Sequence, residues 1–103
     1  MSNVYEDTYR RHVRIAILRF LVEGTPDNSG NVSMLVELLQ KIRINYDRAD
    51  TIKEVQWLAD EGMVEIERTE FTDMIIVTVT EYGECIAKRQ KVHPGVKKPR
   101  RPT

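Results

Sequence analysis

A chain of 103 residues is one domain's worth, enough for a modest core and too short for a separate catalytic domain. With 41% hydrophobic and 31% charged residues it has the composition of a globular protein rather than a disordered one. Formal net charge is zero, yet residues 93–103 carry +4 from Lys97, Lys98, Arg100 and Arg101 with no acid, which leaves residues 1–92 at −4; that acidity counts against strong DNA binding by the body, because phosphate contacts supply most non-specific affinity.

The first helix is expected over Asp7 to Glu23. Val13, Ala16, Ile17, Phe20 and Leu21 recur at helical spacing and define one apolar stripe. Ile15, Leu18 and Val22 add a second stripe on another side, so the surplus must be covered by the C-terminal helix or by another chain. A homodimer through the first and last helices is one answer; a first helix central in its own domain is the other. Gly24-Thr25-Pro26-Asp27-Asn28-Ser29-Gly30 ends this helix as a turn-forming loop. It lacks the Lys-Ser/Thr pair and the preceding strand of a phosphate-binding loop.

Asn31 suits the N-cap of a second helix, where Leu35, Leu38, Leu39 and Ile42 follow one face. Lys41 and Arg43 at its end complement the helix dipole with or without DNA. Ile44-Asn45-Tyr46 then turns the chain, with Tyr46 expected between the helices. The third helix opens with Asp47 as N-cap and Asp50 where a capping box would carry Glu. Thr51, Val55 and Leu58 mark its buried stripe, beside Ala59, and Gly62 is the left-handed terminator. The opposite face carries Ala49, Lys53 and Gln56, flanked by Arg48 and Ile52. In a helix-turn-helix this is the face that enters the major groove.

After Gly62 the period changes to two. Val64 and Ile66 alternate with Glu65 and Glu67, and Ile75, Val77 and Val79 alternate after a break. The tip Thr69-Glu70-Phe71-Thr72-Asp73 reads as a wing, but residues 64–73 hold four acids against Arg68 alone. A net charge of −3 is badly suited to lying along phosphates. Thr80 can cap a last helix from Glu81 to about Val92, buried through Tyr82, Cys85 and Ile86, with Gly83 allowing close approach. Residues 93–103 hold three prolines and no periodicity, which predicts an extended, mobile basic tail after a domain of residues 1–92. The fold class expected is α+β: a winged helix-turn-helix with a three-helix core, a two-stranded β-hairpin wing and a C-terminal helix.

Chemistry is sparse. Cys85 cannot form an internal disulfide and reads as a small buried hydrophobe, since only His12 and His93 could serve it as a base. No spacing of Cys, His or acids matches a zinc or calcium site, so neither an enzyme nor a cofactor or metal is expected. No apolar run reaches the roughly 20 residues of a membrane span, and no signal-peptide core is present. A cytoplasmic protein is the expectation. Trp57 falls between the buried stripe and the groove-facing edge, where packing under the last helix is favoured over exposure to a partner.

The segment TIKEVQWLADEGMV, Thr51 to Val64, with the later VTVTEYGE, resembles the recognition helix and second wing strand of ArsR- and MarR-type winged-helix regulators. A resemblance over nearly the whole chain is carried by RIAILRFLVEG, Asp47-Arg48, Trp57-Leu58 and His93-Pro94-Gly95-Val96-Lys97-Lys98-Pro99. These residues look like a family of roughly hundred-residue winged-helix proteins of Mu-like phages and prophages, often labelled ArsR-like regulators. The resemblance implies genes near the DNA-packaging functions and a phage-associated DNA-binding regulator. On that reading each subunit of a homodimer docks on double-stranded DNA. Arg48, Ala49, Ile52, Lys53 and Gln56 face the groove, while Lys41, Arg43, Lys97, Lys98, Arg100 and Arg101 touch phosphates. The alternative is a non-enzymatic adaptor in phage assembly or packaging, binding a protein partner with its acidic wing and Trp57.

Overall fold

The computed structural model describes residues 4–99. Helix α1 (Val4–Gly24) starts three residues earlier than the apolar pattern demands, and its first residues, Val4 and Tyr5, are exposed and lie outside the core, so the core-facing pattern does not reach them. Both of its stripes are used within the chain: Val13, Ile17, Leu18 and Leu21 are fully buried and Ile15 nearly so. α1 therefore packs as the central helix of its own domain, against the other helices and the sheet. The turn after it is held by Thr25, whose hydroxyl donates to the Leu21 carbonyl at 2.6 Å and accepts from the Ser29 amide at 3.1 Å.

The expected loop over 24–30 runs into a short strand, β1 (Ser29–Asn31), which pairs antiparallel with a later strand through Ser29–Thr78, Gly30–Val77 and Asn31–Ile76. Ser-Gly-Asn has no strand propensity of its own. The pairing comes from its distant partner, so the segment carries no local signal. Asn31 then caps α2 (Val32–Lys41), accepting from the Met34 amide at 2.9 Å. Leu35 and Leu39 are buried as expected, but Ile42 is the C-cap and is 46% exposed. Arg43 turns the chain with φ of 67°, a left-handed conformation uncommon for a side-chain-bearing residue.

Helix α3 (Arg48–Asp60) begins with a complete capping box in which Asp47 and Asp50 each accept from the other's amide. Thr51, Val55 and Leu58 are its buried side, and Gly62 leaves it at φ 79°. Strands β2 (Val64–Arg68) and β3 (Ile75–Val79) form the hairpin in the register Val64–Val79 to Arg68–Ile75. The sheet order is β1-β3-β2, with Ile75, Val77 and Val79 facing the core. Helix α4 (Glu81–Ala87) is capped by Thr80 and stops well short of Val92, since Arg89 adopts φ 63° and closes the helix. Gly83 is needed where α4 meets the backbone between α3 and β2, because a Cβ there would collide with the Met63 carbonyl.

The described residues thus form an α+β domain of four helices and a three-stranded antiparallel sheet, compatible with a winged helix. No helix among them is long and apolar enough to cross a membrane. The expectation of a mobile tail from residue 93 does not describe residues 93–99. Val96 is buried in the core, and the Lys97 amide donates to the Arg11 carbonyl at 3.2 Å. Composition suggested mobility because the anchoring partners lie some eighty residues away. Arg100 and Arg101 lie outside the described residues.

Candidate nucleic-acid interface

The expected groove face of α3 is only in part a free surface. Ala49, Lys53 and Gln56 are exposed, but Gln56 donates to Asp60 one turn on at 3.0 Å, and Ile52 is half-buried against the core. Arg48 is half-exposed but engaged within the chain. Its guanidinium donates to the Asp73 carbonyl at 2.6 Å and to the Ser33 hydroxyl at 3.3 Å, tying the wing to the start of α2. Between Asp47 and Met74 the chain has three cations, Arg48, Lys53 and Arg68, against nine acids, of which only Glu54 is buried. The α3–wing surface is therefore acidic.

The wing itself is ordered by its threonines. Thr69 and Thr72 share a hydroxyl bond of 2.6 Å, and the Met74 amide donates to the Thr72 hydroxyl at 3.2 Å. At the tip Phe71 is 94% exposed between Glu70 and Asp73.

Cations gather elsewhere. A cleft of about 600 Å³ opens between the middle of α1, the α2–α3 turn and the C-terminal segment. Arg19, Arg43, Lys97 and Lys98 line it with His12, over an apolar floor that includes Ile15, Ala16, Ile42 and Ile44, and no carboxylate lines it among the described residues. Arg19 pairs with Glu23 at 3.2 Å on the exposed side of α1, a contact screened by solvent. Burial and the neighbouring Lys97 ammonium hold the His12 imidazole below its ordinary value, so it is the neutral form that the cleft favours. A second depression of about 340 Å³ on the other side of the segment adds Arg11 to Lys97 and Lys98, again with no carboxylate among the described residues. Of the residues expected to touch phosphates, the fold brings Arg43, Lys97 and Lys98 together; Lys41 is exposed at the end of α2 but does not line the cleft.

What holds Lys97 and Lys98 there is a clasp with no local sequence signal. Arg14 and Glu54 form a buried pair, with the guanidinium donating to Glu54 Oε1 at 3.3 and 3.4 Å and to the Gly95 carbonyl at 2.9 Å. The Arg14 guanidinium lies 3.7 Å from the centre of the Trp57 ring. Gly95 sits against the same indole, where an added Cβ would come within 2.5 Å of ring carbons. His93 meets Trp57 edge-on at 5.4 Å. Its Nδ1 accepts from the Gly95 amide at 2.9 Å, so Nε2 carries the proton and donates to Glu61 at 2.9 Å. Trp57 is thus packed, but under Arg14 and residues 93–95 rather than under α4. Tyr46 completes the network: its ring lies 6.0 Å from Tyr9 and its hydroxyl reaches Glu54 at 3.5 Å. Burial, followed by the Glu54 charge, pushes the Tyr46 phenol up to about 12.

Glu54 occupied an inward position of the third helix, three residues after Thr51 and one before Val55, and an acid there is the available sign of a buried pair. Its partner, forty residues away, has none.

Over 87 residues the chain is 31% identical to "Uncharacterized protein gp26" of Escherichia phage Mu, an alignment covering 84% of this chain and 86% of that protein. No protein-family model and no solved structure matches the chain.

Proposed function

The chain belongs to the family of the uncharacterized phage Mu protein gp26, and we propose that it is a non-catalytic winged-helix protein that holds duplex DNA by its phosphates at the cationic cleft. One observation carries this reading. In a chain of zero net charge, Arg19, Arg43, Lys97 and Lys98 surround one cleft with no carboxylate among its described lining residues. Phosphate contacts of this kind position a protein on DNA without reading sequence. The α3 face contributes little beyond Lys53, because Arg48 is engaged by the wing and the surrounding charge is negative. Control of transcription is the role that the ArsR-type resemblance would give such a protein; the proposed contact needs only the duplex.

The test is duplex binding followed by fluorescence anisotropy over a salt series. Four neutralised phosphates predict a fall of about 10²-fold between about 50 and 200 mM salt. The combined variant Arg43→Gln, Lys97→Gln, Lys98→Gln should lose most of the affinity and most of the salt slope. If Lys53→Gln abolishes binding while that variant binds normally, the contact lies on α3 and the proposal is wrong.

A protein-binding role in phage assembly or packaging is favoured by a different observation, the ordered acidic wing with Phe71 projecting into solvent. Exposed aromatics of this kind are typical anchors at protein interfaces.

A further inference from the structure

The wing and the cleft are complementary in three respects. The tip offers Glu70 and Asp73 on either side of Phe71, all exposed. The cleft offers Arg43, Lys97 and Lys98 around a floor of Ile15 and Ile44. One side supplies carboxylates and an aromatic ring; the other supplies an apolar surface and cations that pair with no carboxylate among the described residues. The wing is also ordered before any partner arrives, by the Thr69–Thr72 hydroxyl bond and by the Arg48 clamp on the Asp73 carbonyl. An ordered loop loses less conformational freedom when it docks.

Within one chain the two cannot meet. The wing is fastened at the start of α2 through Ser33 and Arg48, whereas Ile42 and Arg43 place the cleft at the other end of that helix. Ten residues of helix separate them by about 15 Å. We infer that the wing of one copy of this chain docks in the cationic cleft of the next, with Phe71 on the apolar floor and Glu70 and Asp73 against Arg43, Lys97 and Lys98. The contact joins two different surfaces, so two copies can close reciprocally, wing in cleft twice over, or copies can add head-to-tail into a larger ring or an open chain with one free wing and one free cleft at its ends. Since DNA phosphates would use the same cations, assembly and DNA binding at the cleft exclude each other. The inference does not depend on the DNA reading.

Sedimentation equilibrium of the full chain tests it. At low salt the wild type should pass from a 12.0 kDa monomer to a dimer or larger species as concentration rises, and return to monomer at high salt. A wing variant, Glu70→Gln with Phe71→Ser, and a cleft variant, Arg43→Gln with Lys97→Gln and Lys98→Gln, should each self-associate at least tenfold more weakly. Mixed in equal amounts, they should form a 1:1 dimer and stop there, because one intact wing meets one intact cleft and no further pair remains. That capped dimer also establishes that both variants are folded. A wild type that stays monomeric at all concentrations overturns the inference. So does an assembly that both variants form as well as the wild type, including a two-fold dimer through α1 and α4. DNA binding without self-association would overturn this inference and leave the proposed function standing; self-association without DNA binding would do the reverse.

Discussion

The two ends of α2 present opposite surfaces. At its start the β2–β3 tip and α3 lie where a winged helix would carry its DNA-reading face, but Arg48 is engaged by Asp73 and Ser33 and eight solvent-facing carboxylates lie between Asp47 and Met74. At its end an irregular turn, the flank of α1 and a docked C-terminal segment have no motif to advertise them, yet they gather four cations around one cleft. Topology says which surface a fold usually offers; charge says which surface this sequence can use on a polyanion. When the two disagree, the electrostatic term is the stronger guide to phosphate binding, because it supplies nearly all of the sequence-independent affinity.

The largest effect should come from the clasp that builds the second surface. Glu54→Ala leaves the Arg14 guanidinium buried without its carboxylate, a loss of about 3–5 kcal/mol. Each kcal/mol lowers the melting temperature of a domain this size by roughly 4–8 °C, so thermal unfolding should reveal it at once. A change of a degree or two would mean that the pair does not hold the segment. Next is Gly95→Ala, whose Cβ would press on the Trp57 ring. Overpacking of this kind costs about 1–3 kcal/mol. It should also loosen Lys97 and Lys98 and weaken duplex binding without touching a charge. If stability falls and binding does not, the cations act independently of the clasp.

Much of the first surface was legible in the sequence and little of the second. The Asp47–Asp50 capping box, the Asn31 and Thr80 caps, the Gly62 terminator and the alternating strands are local patterns, readable within a few residues. The strand Ser29–Asn31 owes its pairing to residues almost fifty positions on, and the Arg14–Glu54–Gly95 clasp joins three separate regions. The C-terminal segment was misjudged for the same reason. Its prolines speak for a chain without regular structure, and it folds as a turn closed by the Val96 amide on the His93 carbonyl, but irregular chain can be docked as well as free. Arg43, Lys97 and Lys98 were recognisable as phosphate-binding candidates; Arg19, inside a helix pattern with Glu23 one turn on, was not.

Titration sharpens the contrast by smaller amounts. Tyr46 holds its proton more tightly in the folded chain than at its ordinary value of 10.0. The stabilisation is therefore complete below about pH 10 and is lost as pH rises from there to about 12, which denaturant unfolding at stepped pH should follow. Tyr46→Phe should remove that decline. The smallest effect is at His12. Its value is lowered first by burial and then by Lys97, so the neutral form stabilises the fold above 6.5 and that contribution fades as pH falls. In Lys97→Ala the His12 titration, followed by NMR of the imidazole, should move part of the way back up, because burial remains. No movement would place the Lys97 ammonium away from the cleft.

The central claim is that the polyanion-binding surface is the cleft end and not the α3–wing end. Titrating short duplex DNA into isotopically labelled protein at a concentration where it is monomeric, and mapping the amide shifts, tests this most directly. The account predicts the largest changes at His12, Arg19, Arg43, Lys97 and Lys98. Changes concentrated instead at Ala49, Lys53, Gln56 and the wing would contradict it.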